Sequence, residues 1–318
     1  GVEIESLSKK AVKSLADETD GDVSEMLKLR LLMAKTSVKK YEAVIRSVCS
    51  DNRVHGMMRF CGANRTGRWS GNILQPQNLP QNHLPDLTLA RDIVKDGDFE
   101  MLDMMFGNVP NVLSELIRTV LIPKPNHRFI VADFSAIEAR VLAWIAGEQW
   151  RIDTFKNGGD IYCASASKMF KVPVEKHGVN GELRQKGKIS ELACGYGGSV
   201  GALKNMGAVE MGVRENELQG LINDWRNANP HIVRFWYEVG NAAMKAIKEK
   251  TTVPLGKLVF AYERGILFIR LPSGRRLSYI KPRIGTNRFG GDSITYMGIN
   301  SAKKWDRLET FGGKLTEN

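Results

Sequence analysis

The chain has 318 residues, 42% of them hydrophobic, an ordinary composition for a soluble globular protein with two or three lobes, and one that excludes a disordered chain. No apolar run approaches the length of a bilayer span and the N-terminus lacks the pattern of a signal peptide, so the expectation is a cytoplasmic protein with no membrane partner. Lysine and arginine exceed aspartate and glutamate by 46 to 35, and the surplus of +11 favours a polyanionic partner, because each neutralised phosphate releases condensed counterions.

In chain order, residues 4–49 are rich in Lys, Glu, Ala, Leu and Met at three- and four-residue spacing, with a break near Asp20 to Asp22. That pattern predicts two helices, the second long and basic. Between Val54 and Pro80 short apolar stretches alternate with Gly, Asn, Arg and Gln, which suits strands and loops facing a polar ligand. Asp86 to Gly107 and Val112 to Val120 are again helical in pattern. His127 to Asp133 forms a compact apolar run, HRFIVAD, and IEARVLAWIAG follows at once, a pairing that predicts a buried strand feeding a helix. Further helices are expected within 148–169, 182–196, 215–227 and 231–250, and a small β-meander from Lys257 to Phe260, Ile266 to Leu271 and Arg276 to Ile280. The fold class expected is therefore α+β and mainly helical.

The four cysteines, Cys49, Cys61, Cys163 and Cys194, form no CxxC pair, and the five histidines show no ligand spacing beside them, which excludes a disulfide framework or a zinc site as a reading. Two other features carry chemistry. Asp133 is expected at the carboxyl end of a buried strand, where a side chain is held rigidly while pointing into a cleft. A metal ligand and a helix N-cap are both open readings there. Arg184, Lys188, Leu192 and Tyr196 recur every four residues, so all four share one broad helix face, with the cations toward the end that favours an anion. Such a face suits a triphosphate at one end and a base and sugar at the other, and it also suits an amphipathic surface helix with snorkelling basic side chains.

VADFSAIEAR resembles motif A of the family A DNA polymerases, the bacterial DNA polymerase I type and its phage relatives, and RQKGKISELACGYGG is similar to their motif B at Arg184, Lys188, Tyr196 and Gly197. The resemblance runs from about Ser24 to the end. It implies a right-hand architecture of thumb, palm and fingers, with 1–50 a helical thumb-like segment, 51–147 the palm part bearing motif A, 148–285 the fingers, and 286–318 a truncated return to an incomplete palm. It implies that Asp133 binds two catalytic Mg2+ ions with help from the Phe134 carbonyl, and that Lys188 is catalytic. Arg184, Lys188, Leu192 and Tyr196 would bind the deoxynucleoside triphosphate, and Glu138 would be the steric gate, meeting Tyr196 across the sugar. Leu192 departs from the family's usual aromatic at its position. NRTGRWSGNILQPQNLP is similar to a family segment that makes Arg68, Gln77 and Asn78 minor-groove readers of primer-template DNA. ELIRTVL places Arg118 as a weaker candidate for the nucleotide pocket, and GDIYCASASKMF has Tyr162 where relatives carry a phosphate-touching histidine.

The family's second metal-binding carboxylate sits in a His-Asp-Glu turn, and no such tripeptide occurs here. Asp292 and Asp306 lie in the wrong kind of context to replace it. The expectation is template-directed DNA synthesis by a two-magnesium mechanism, with this chain inactive alone and either a piece of a longer polymerase or one product of a split gene. In the second case another polypeptide completes the palm, in the host cytoplasm if phage-encoded. A noncatalytic DNA-binding or assembly module with a vestigial nucleotide site is the alternative. A single-subunit RNA polymerase is the third reading, and Glu138 and TGRWS...QNLP speak against it.

Overall fold

The computed structural model describes residues 9–33, 39–63, 66–287, 290–300 and 302–318. Its contacts divide the chain into two units, Gly1–Val131 and Ala132–Asn318, so the boundary falls inside the segment expected as one palm part.

The first unit is helical. Helices α1 (Lys9–Glu18) and α2 (Gly21–Met33) pack as a hairpin around Val12, Ala16 and Leu27, with Ser24 Oγ donating to the Ala16 carbonyl at 2.8 Å. The break at Asp20 to Asp22 thus falls where expected; of the long second helix, α2 to Met33 and α3 (Lys39–Ser47) are described, and residues 34–38 lie outside the described residues. A two-stranded pair, β1 (Met58–Arg59) and β2 (Ser70–Gly71), carries an edge-to-face contact between Phe60 and Trp69 at 5.3 Å. Helices α4 (Leu87–Asp96), α5 (Phe99–Phe106) and α6 (Val109–Leu116) enclose Ala90, Ile93, Leu102, Val112 and Leu116. Each begins with its own cap: Asp86, Asp98 and Asn108 accept from the amides of Leu89, Met101 and Asn111.

One expectation fails here. Residues 127–133 form neither helix nor strand, and the apolar run lies open to solvent, with Ile130 85% and Val131 89% exposed. The β-propensity is present, but a strand is stable only when its amides and carbonyls find a neighbouring strand, and no strand among the described residues pairs with this segment.

The second unit begins with α7 (Ile137–Ala146), α8 (Gln149–Lys156), α9 (Ile161–Phe170), α10 (Leu183–Cys194), α11 (Val200–Asn205), α12 (Leu218–Ala228) and α13 (Pro230–Glu249). The last of these buries Ile232, Phe235, Trp236, Val239, Ala242, Ala243, Ala246 and Ile247, a stripe at helical spacing whose alanines permit close approach to a sheet. That sheet is a six-stranded antiparallel meander in simple sequence order: β3 (Thr252–Leu255), β4 (Leu258–Glu263), β5 (Ile266–Arg270), β6 (Arg276–Thr286), β7 (Asp292–Ile299) and β8 (Trp305–Thr310). Phe260 pairs with Ile269 and Ile269 with Leu277, so alternate residues point one way and form a core with α13. Burying Phe260 and Leu267 completely contributes about 2 kcal/mol each. The expected three strands are therefore six. Residues 286–318 continue this sheet through β7 and β8 and close with α14 (Gly312–Glu317), so a division at 285 cuts the β6–β7 pairing. Among the described residues no helix is long and apolar enough to cross a membrane.

Candidate active site

Helix α10 owes its orientation to one buried carboxylate. Glu191 accepts from both terminal nitrogens of Arg151, from Ser165 Oγ at 2.8 Å and from Trp225 Nε1 at 2.9 Å. Arg151, only 1% exposed, also donates to Asn229 Oδ1 at 2.9 Å. The network joins α8, α9, α10 and α12 and the residue preceding α13, and it fixes which side of α10 faces inward. Ile189, Ser190, Ala193 and Cys194 are buried with Glu191, while Lys188 is half-buried and Leu192 is 47% exposed. The outward stripe expected from the four-residue spacing is thus real for Lys188 and Leu192. Tyr196 stands beyond the last helical residue, Cys194, half-buried against the core around Trp225 and Trp236, rather than on a fourth helical rung.

Helices α9 and α10 pack closely at Gly187, where an added Cβ would meet the carbonyl oxygen of Tyr162 and, at 3.1 Å, the Ala166 methyl. Only a glycine lets α9 and α10 approach this far.

Arg184 is engaged. Its Nε and Nη2 each lie 2.9 Å from Asp160 Oδ2, and its guanidinium sits 5.3 Å from the centre of the Tyr162 ring. Asp160 also caps α9 through the amides of Tyr162 and Cys163. Partial burial raises the Asp160 pKa, but the Arg184 hydrogen bond and the two amides outweigh it and hold the carboxyl below its ordinary 3.8. Burial pushes the Cys163 thiol up, and the Asp160 charge adds to this. Tyr162, which stands where relatives carry a phosphate-touching histidine, supplies the face against which Arg184 packs. Lys188 makes no hydrogen bond or ion pair among the described residues, so its charge is available to a ligand.

Asp133 and Phe134 are exposed. Asp133 does not cap α7: the residue at that position is Ala136, with φ 49° and no side-chain cap bond. Of the two open readings the N-cap is therefore excluded. Glu138 lies in the first turn of α7 and is exposed. Among the described residues no group of three or more His, Cys, Asp or Glu is placed to hold a metal ion. Asp133 with the adjacent carbonyl fits a magnesium ion that completes its shell with water and phosphate oxygens. It does not fit a pair of ions about 4 Å apart, which needs carboxylates from two sides. Asp292 is taken by Lys248 at 2.9 Å, and Asp306 accepts from Asn300 Nδ2 and the Arg307 amide.

In the first unit Arg68 and Gln77 are exposed, and Asn78 Nδ2 donates to Gln75 Oε1 at 2.9 Å. Arg118 anchors the loop behind them, donating from Nε to the Pro80 carbonyl at 2.7 Å and from Nη2 to that of Leu79 at 2.6 Å. Two backbone carbonyls thus occupy the guanidinium that was expected at a nucleotide. Sequence reading missed Arg151, Asp160 and Glu191; for the last, a lone acid on the apolar side of a predicted helix was the available signal.

A family model described as DNA polymerase family A matches residues 3–258. A DNA polymerase of Bacillus phage SP02 is 53% identical over 321 aligned positions, covering 100% of this chain and 50% of that protein. The thermostable DNA polymerase I of Thermus aquaticus is 28% identical over 227 positions, covering 69% of this chain and 25% of that protein. The POL domain of Pol1 from M. smegmatis, solved with DNA primer-template and dNTP, superposes with a TM-score of 0.55 at 20% identity, over 85% of this chain and 38% of that one, a likeness of fold. The chain spans half the length of the phage relative and less of the Thermus protein.

Proposed function

This chain belongs to DNA polymerase family A, and from that premise we propose that it carries the nucleotide-binding half of a DNA polymerase active site. The reaction is attack of a primer 3′-hydroxyl on the α-phosphate of a deoxynucleoside triphosphate, with pyrophosphate leaving. Lys188 and Arg184 hold the triphosphate, Leu192 and Tyr196 border the base and sugar, and Glu138 stands where a ribose 2′-hydroxyl would lie. Arg68, Gln77 and Asn78 meet the primer-template duplex, whose minor-groove acceptors report base-pair geometry without sequence. Arg118 acts through the loop it anchors. Asp133 and the Phe134 carbonyl would hold one magnesium ion, which when bound would neutralise charge on the triphosphate.

The observation that carries this reading is the outward stripe of α10: an unpaired, half-buried Lys188 beside an exposed Leu192, locked in that orientation by Glu191. A solvated surface helix has no need of a buried four-donor carboxylate to fix its rotation. The test is a titration with deoxynucleoside triphosphate. Lys188→Ala is expected to weaken binding by about tenfold, as for loss of a charge-assisted contact. Unchanged affinity in both Lys188→Ala and Arg184→Ala overturns the assignment and leaves a vestigial pocket on a DNA-binding module.

Because Asp133 is the single carboxylate in the donor set, we further propose that the chain does not extend primers by itself. Robust magnesium-dependent synthesis by the purified 318 residues, with nothing added, refutes that.

A further inference from the structure

A cavity of about 280 Å3 opens between α13 and the edge formed by β7, the end of β8 and the start of α14. Much of its wall, residues 292–294 and 310–313, lies outside the segment matched by the family model. Its chemistry is uneven. At its back, Thr310 is 1% exposed, yet its hydroxyl has no hydrogen-bond partner among the described residues, and neither has the Nε of Arg226. The Ser293 hydroxyl is a third such group in the lining, and because a buried donor left unpaired is costly, three of them mark a place where a ligand's polar edge belongs. At the mouth stand Tyr237, 69% exposed, and the exposed Phe311, with Trp236 beneath. Beside it Gly240 and Gly312 let α13 and the start of α14 meet backbone to backbone, and an added Cβ at Gly312 would meet the Trp236 carbonyl.

The volume lies just below the roughly 300–1,000 Å3 that ligand sites span, so it admits one ring system rather than a whole nucleotide. Aromatic faces at the entrance, unpaired polar groups in the lining and a volume too small for a whole nucleotide together describe a nucleobase whose phosphate stays outside. We propose that this cavity receives one unpaired base from the single-stranded part of a bound DNA, stacked at the mouth by Tyr237 and Phe311 and hydrogen-bonded within by Thr310 and Arg226. The inference rests on the reading of this chain as a DNA-binding polymerase component.

The test compares the affinity of the full chain for a blunt duplex, the same duplex with a short single-stranded overhang, and the overhang made abasic. The base-bearing overhang is expected to bind about tenfold more tightly than the abasic one, in line with base-on-aromatic stacking. Tyr237→Ala, at an exposed position, and Thr310→Val, which keeps the shape, are expected to abolish that advantage and leave blunt-duplex affinity unchanged. A thermal melt confirms that both variants fold. Equal affinity for base-bearing and abasic overhangs, or an advantage that survives both substitutions, overturns the proposal while duplex binding persists. Competition by a free deoxynucleoside with no effect of the overhang base overturns it in favour of a free ligand. Loss of all duplex binding by the wild-type chain instead removes the DNA-binding reading beneath it.

Discussion

Replacing Arg151 by Met tests whether the buried ion pair sets the geometry of α10. In the native chain the Glu191 carboxylate accepts from Arg151 twice, from Ser165 and from Trp225, and Arg151 also meets Asn229. Arg151→Met leaves the carboxylate buried with only two neutral donors, and Glu191→Leu leaves a buried guanidinium with Asn229 alone. Removing one partner of a buried pair typically costs about 3–5 kcal/mol, because the other charge stays uncompensated. The double variant loses both charges at once. It still orphans the Ser165 hydroxyl and the Trp225 indole NH, at about 1 kcal/mol or more each, so a net loss of about 1–3 kcal/mol is expected rather than full recovery. The coupling energy in the cycle is then several kcal/mol. Urea unfolding followed by tryptophan fluorescence measures it, since five of the six tryptophans lie in residues 132–318. Additivity within about 0.5 kcal/mol, or an Arg151→Met cost below about 1 kcal/mol, refutes the reasoning.

Gly187→Ala is expected to destabilise the second unit by about 1–3 kcal/mol, because the new methyl meets the Tyr162 carbonyl, which outweighs the gain of about 1 kcal/mol in helix propensity; a melt that rises instead removes the close-approach argument. The depressed Asp160 pKa contributes stability that is complete above the unfolded carboxyl's 3.8 and is lost as pH falls through the lower folded value. Asp160→Asn keeps the helix cap but not the charge, so its melting temperature should fall less between about pH 5 and pH 3 than that of the wild type, and triphosphate binding should tighten a few-fold as Arg184 is released. A thiol-reactive chromophore should label the exposed Cys49 and Cys61 in the folded chain and spare Cys163 and Cys194, the latter pushed up to about 12 by burial; mass spectrometry of the labelled sites decides it.

What the sequence determined by itself were the features written in short-range spacing. A helix closes its hydrogen bonds within four residues, so α4, α7, α10, α12 and α13 were legible from periodicity, as was the outward placing of Lys188 and Leu192. The family motifs were legible for a similar reason, since they are contiguous strings. Tertiary structure decided whatever depends on a distant partner. HRFIVAD has the composition of a strand but finds no strand beside it among the described residues, whereas β7 and β8 exist because β6 offers them a ladder. Glu191 and Arg151 lie 40 residues apart, and Arg118 meets carbonyls 38 and 39 residues earlier; no local pattern announces such pairs. That Tyr162 packs against Arg184 depends on how α9 meets α10 at Gly187. Burial and electrostatics are sums over neighbours in space, and those neighbours are chosen by the fold, not by adjacency along the chain.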